Sequence, residues 1–149
     1  MQQRWLLRMT ACLALCLVAL GAYGEQQRAG NHEIHYSAVS TRFLTPEVAH
    51  QYGLQRSAGL GLVNVSVLEH REDGSTRAVN AAVEGSVGLL DEDPDALNFR
   101  TVRDDGSVYQ LATFRLQHDA PMHFTLKVRT DRGVEPESVS FIQRFFPQR

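Results

Sequence analysis

Cysteine is nearly missing from this 149-residue chain: there are two, Cys12 and Cys16, and both fall within the first 24 residues. Tryptophan occurs once, as Trp5, and lysine once, as Lys127. After Gly24 no apolar run approaches the ~20 residues that a spanning helix needs. Each scarcity removes a class of chemistry. If the first 24 residues are lost, no disulfide, thiolate nucleophile or cysteine-ligated metal remains. The cations are then arginines scattered singly with one lysine, which gives no basic stripe for a nucleic acid to follow.

What is present at the start has the three parts of a cleavable secretion signal. Arg4 and Arg8 supply the positive region, Met9 to Leu20 the apolar stretch, and Ala22-Tyr23-Gly24 the small residues read at the cut. The expected mature chain begins at Glu25 and lies outside the cytoplasm. Its 125 residues (25–149) suit one domain with its own core. It carries 13 basic against 17 acidic side chains, a net charge of −4. A lipoprotein anchor is disfavoured because Cys16 follows Leu15, not small residues. A membrane barrel is disfavoured because Arg77, Glu84, Arg100, Arg103, Arg115 and Arg144 interrupt the strands where a lipid-facing band would be.

The mature chain reads as strands. Glu25 to Gly30 is polar and is expected to be a frayed start, and His32 to Val39 alternates as a first strand. Thr45-Pro46-Glu47 is a helix-start pattern, with Gly53 placed to end about two turns. Val63, Val65 and Val67 alternate with Asn64 and Ser66, and Asp73-Gly74 and Asp105-Gly106 mark hairpin turns. Strands are expected over Thr76 to Val87, Leu97 to Arg103, Val108 to Leu116, around Phe124 to Val128, and over Val139 to Phe146. The sum is an all-β fold: an antiparallel, immunoglobulin-like β-sandwich of about seven strands with one short early helix.

The segment Tyr36-Ser37-Ala38, Phe43-Leu44-Thr45-Pro46-Glu47-Val48-Ala49, Tyr52-Gly53 and Arg56-Ser57, running into Asn64-Val65-Ser66-Val67, resembles an uncharacterised family. Its members are small exported proteobacterial proteins that carry a domain of unknown function. The likeness continues through Phe99 to Arg103 and Phe141-Ile142-Gln143-Arg144-Phe145. The resemblance implies a periplasmic β-sandwich and brings no catalytic residues with it.

Candidate chemistry is sparse. There is no Gly-x-Ser-x-Gly elbow and no Ser–Lys motif, so no enzyme is expected. Asp91, Glu92, Asp93 and Asp95 lack the spacing and glycine of a calcium loop and read as a solvated turn. His32 and His35 stand three apart, which on a strand sends them to opposite faces; they are expected to be exposed. A turn could gather His118, Met122 and His123 as a weak imidazole–thioether metal site, but an ordinary polar turn is preferred and no cofactor is expected. The better functional candidate is Thr41 to Ser57, with Phe43, Pro46, Tyr52 and Arg56, residue types that interfaces favour. The competing and preferred reading makes this segment a cap that plugs one open end of the sandwich and buries Phe43, Leu44, Val48 and Tyr52. The expectation is a periplasmic binding or accessory module for an envelope protein or ligand, with a hydrolase using His and carboxylate residues, or a copper or zinc binder, as alternatives.

Overall fold

The computed structural model describes residues 24–130 and 134–147. The expected signal, with Cys12, Cys16 and Trp5, lies outside the described residues. Among the described residues ten strands form two antiparallel sheets. They are β1 (Glu25–Ala29), β2 (His32–Ser40), β3 (Leu60–His70), β4 (Thr76–Val79), β5 (Ala82–Leu89), β6 (Asp95–Leu97), β7 (Arg100–Asp104), β8 (Ser107–Arg115), β9 (Pro121–Arg129) and β10 (Glu137–Arg144). The larger sheet runs β1-β2-β3-β8-β7, with β4 also paired to β3; the smaller runs β10-β9-β5-β6. The sandwich is therefore as expected, and the strand count is higher for two physical reasons.

Two expected strands break and change sheets. The Thr76 to Val87 run splits at Asn80-Ala81: β4 pairs with β3 in the larger sheet and β5 pairs with β9 in the smaller. Likewise β6 pairs with β5, and after Asn98-Phe99 β7 pairs with β8. Strands that cross between layers in this way make the corners of a sandwich. The polar start is also a strand: Gly30, at φ 62°, turns β1 back on β2, with Glu25 opposite Tyr36. Its polarity fits an edge strand with mostly exposed faces.

Alternation places the core. Ile34, Tyr36 and Ala38 of β2 and Val63, Val65 and Val67 of β3 face inward, opposite Met122, Phe124, Leu126 and Val128 of β9. Aromatic rings join the layers. Phe124 stacks on Phe141 at 4.6 Å between centroids and meets Phe114 edge-on at 5.1 Å. The Phe114 ring lies over Gly61, its cross-strand partner, where any Cβ would collide with it. Gly61 thus admits the ring that links β8 to the opposite sheet.

The chain leaves β2 through a 3-10 turn (Thr41–Phe43) and one α-helix, α1 (Pro46–Gln51). The helix forms as its local sequence dictates. Thr45 Oγ1 accepts from Val48 N at 3.2 Å, Pro46 opens the first turn, and Gly53 ends the segment at φ 65°. Among the described residues no helix is long and apolar enough to cross a membrane.

Candidate functional site

The Thr41 to Ser57 segment is closed on itself at its ends. Thr41 is fully buried; its hydroxyl donates to Ser57 O at 3.1 Å and accepts from Ser57 N at 2.9 Å. Between these bonds α1 lies on the outer face of the larger sheet. Leu44, Val48 and Tyr52 line a crevice of about 220 Å³ above Leu62, Tyr109 and Leu111. Tyr52 is held hard there: its hydroxyl donates to Asp104 Oδ2 at 2.9 Å, and Arg100 donates to its carbonyl. Burial, and the hydrogen bond it donates to the Asp104 carboxylate, raise the Tyr52 hydroxyl above the ordinary phenol range.

The segment therefore does cap, but it covers a sheet face and its first aromatic stays out. Phe43 is 66% exposed, contrary to the expectation that it packs inside. The 3-10 turn explains the reversal, because it ends the alternation of β2 and turns the ring away from the sheet. Pro46 is exposed at the helix start. Arg56 is exposed too; its guanidinium reaches Arg42 O at 3.4 Å. Of the four candidates, Tyr52 is in the crevice, and Phe43 stands at a separate opening at one end of the sandwich.

That opening is a half-open groove of about 410 Å³. Its floor is Leu116 and Phe145, both buried, and its walls are Phe43 and Phe146, each 66% exposed. Arg42, Arg144 and His118 stand at its rim, and among the described residues no Asp or Glu lines it. Arg144 and Phe145 are held here by pairing with the β8–β9 connection. His118 forms a parallel bridge with Phe145, Asp119 N donates to Phe145 O at 2.9 Å, and Arg144 donates to Asp119 O at 2.9 Å. Gln143 reaches across to Ala38 O at 2.7 Å and so joins β10 to β2. An Arg-Phe pair occurs in both contributing segments, Arg42-Phe43 and Arg144-Phe145. That repetition was the one signal in the sequence for a groove it did not otherwise announce.

The weak metal candidates do not converge. Met122 is buried in the core, and its sulfur accepts from Gln117 N at 3.5 Å. His123 is the next residue on β9 and faces the other way, beside Gly88 and Leu89. His118 sits at the groove, 3.2 Å from Ala58 O.

A second polar cluster was not expected. Glu33 and His35, two apart on β2, share the outer face with His70 of β3. His35 Nε2 lies 2.5 Å from Glu33 Oε1, and His70 Nε2 lies 2.9 Å from Glu33 Oε2. Arg28 of β1 stands 2.9 Å from the same His70 nitrogen. One nitrogen cannot both donate to Glu33 and accept from Arg28, so the tautomer decides which bond forms. The hydrogen bond from His70, with His35 beside it, holds the Glu33 carboxyl below the usual carboxylate range. His32, three residues before His35, faces the other side as expected but is buried, 3.6 Å from Glu69. The two imidazoles on Glu33 address different oxygens. Among the described residues no three His, Cys, Asp or Glu side chains are set to hold a metal ion.

Comparison with known proteins adds a family. A crystal structure of a protein from Pseudomonas aeruginosa PAO1, described as belonging to the DUF4426 family, is 34% identical. That match covers 85% of this chain and 97% of the other, with a TM-score of 0.70. FetP of uropathogenic Escherichia coli strain F11, recombinantly expressed in the periplasm, matches at 10% identity over 85% of this chain and 95% of its own, with a TM-score of 0.59. A copper-bound variant of FetP matches at 10% identity over 86% and 93%, with a TM-score of 0.57. At such identity the two FetP structures show a shared fold. No curated protein matches the chain. The family model for a domain of unknown function, DUF4426, matches residues 26–148, and the chain belongs to that family.

Proposed function

We propose that the mature chain is an exported periplasmic module, without catalysis of its own, that binds an envelope protein or ligand through the groove at the end of the sandwich. The observation that carries this reading is the pair Phe43 and Phe146, exposed on either side of an apolar floor. Exposed rings are ordinary when single, but rings gathered around a cavity with a polar rim mark a binding surface. The volume of the groove falls within the range of about 300–1,000 Å³ typical of ligand sites. The secretion signal read in the first 24 residues supports the periplasmic address.

A hydrolase would draw on Glu33, His35 and His70, yet among the described residues neither imidazole is hydrogen-bonded to a hydroxyl or thiol that could attack. Metal binding draws its support from the fold shared with copper-bound FetP. Micromolar copper or zinc should leave the melting temperature of the mature domain unchanged. A rise, removed by His35→Ala or His70→Ala, would restore the metal reading.

Immobilised mature domain, compared with a Phe43→Ser/Phe146→Ser variant of equal melting temperature, tests the main proposal on periplasmic extract. A partner retained by the first and lost by the second is expected. Capture indifferent to both rings would overturn the groove as the binding site.

A further inference from the structure

The charge around the groove says what chemistry its ligand carries, and this inference rests on the binding reading above. The geometry points to an acidic peptide segment, one or two carboxylates beside an aromatic or aliphatic side chain, as the occupant. Arg42 and Arg144 stand at the rim of an opening that, among the described residues, no carboxylate lines. Among the described residues neither guanidinium has a carboxylate partner; the two arginines that do are Arg28 and Arg77, on other strands. Arg144 spends one donor on Asp119 O, and the remaining donors of both forks are directed by no internal acid. The chain as a whole is negative, with 17 acidic against 15 basic residues, so a local excess of arginine is not a general property of its surface.

A carboxylate placed at this rim gains charge-assisted hydrogen bonds beside a low-dielectric floor, where they are stronger than in water. The floor of Leu116 and Phe145 and the walls of Phe43 and Phe146 then take an adjacent apolar side chain. Two features favour a chain segment over a free amphiphile. A small molecule is held when roughly 70–90% of its surface is buried; this groove is open along one side and buries only what enters it. A peptide needs only its anchors covered, and the volume of about 410 Å³ accepts side chains of that size.

Selection of short random peptides displayed on phage, panned against the mature domain, tests the inference and its parent separately. Segments with Asp or Glu next to Phe, Tyr, Leu or Ile should be enriched. A synthetic peptide of the enriched sequence should bind about tenfold more weakly to Arg42→Gln and to Phe146→Ser, and about tenfold more weakly again when its acids become amides. Affinity should fall with added salt. Arg42 and Phe146 are exposed, so their variants should keep the parent melting temperature; Arg144→Gln is less informative because it loses the Asp119 bond. Enrichment of uncharged or basic segments that still depends on Phe146 would overturn the acidic assignment and leave the binding module standing. No enrichment sensitive to Phe43→Ser or Phe146→Ser would overturn both. Decanoate that displaces the peptide and binds more tightly than it would reassign the groove to a lipid-type carboxylate.

Discussion

Two phenylalanines of the same chemistry sit at opposite extremes of this molecule. Phe124 is fully buried, stacked on Phe141 and touching Phe114. Phe43 projects from a 3-10 turn and is 66% exposed. Truncating Phe124 to alanine should therefore cost about 3–5 kcal/mol, from lost transfer energy and the cavity left behind. Phe43→Ala should stay within about 0.5 kcal/mol, as surface substitutions do. Urea denaturation of the two variants checks the pair; a large loss at Phe43 would mean that the ring packs and is not available for recognition. Glu33 gives the second prediction at this scale. Its carboxyl is depressed by the hydrogen bond from His70. A depressed group contributes stability that is present above its unfolded value and is lost as pH falls through the folded value. Stability should thus decline on acidification below the ordinary carboxylate range, and Glu33→Gln should flatten that decline. A variant whose stability follows pH as the parent does would remove Glu33 from the acid response.

At the scale of elements, the loop that carries α1 is closed at its base by a single hydroxyl. Thr41 Oγ1 both donates to and accepts from the Ser57 backbone, 16 residues away in sequence. Thr41→Val keeps the shape and leaves the half-buried Ser57 N–H without its partner, while Ser57 O still accepts from Leu60 N at 3.3 Å; the change should cost about 1–3 kcal/mol. Hydrogen exchange should quicken across α1 while β3 and β9 stay protected; uniform quickening would mean that the loop and the sandwich open together. The helix itself was legible because its signals are local: Thr45 caps, Pro46 opens, and Gly53 at positive φ closes. The Asp105-Gly106 turn was legible for the same reason, both residues lying at positive φ. The sheet crossings were not. Nothing within Thr76 to Val87 says that its first half pairs with β3 and its second with β9; that choice belongs to the partners. The β1 strand was hidden by composition, since Glu25-Gln26-Gln27-Arg28-Ala29 reads as solvated chain until β2 is there to pair with it. The groove was hidden twice over. It needs Phe145 beside His118 through a lone parallel bridge, and it needs Phe43 to escape an apolar pattern that pointed it inward.

At the scale of the whole molecule, the start of the fold bears on where export should cut the chain. Glu25 is the first residue of β1, pairs with Tyr36 across the hairpin, and accepts from the Tyr36 hydroxyl at 3.0 Å. Cleavage after Gly24 would leave that strand complete. Cleavage a few residues later would remove the Glu25–Tyr36 contact and shorten the pairing that covers the edge of β2. The small residues Ala22 and Gly24 favour the first cut. The secreted protein should therefore have the intact mass of residues 25–149, and it should lack Trp5, Cys12 and Cys16. That cut would remove both cysteines, with a thermodynamic consequence. No disulfide could then constrain the unfolded chain, so the stability of the mature domain would rest on the two-sheet core and should be equal with and without reductant. Mass spectrometry of the secreted form, followed by thermal melts in both conditions, checks the two statements together. A mass that retains Trp5 would overturn the periplasmic address, and with it the kind of partner the groove can meet.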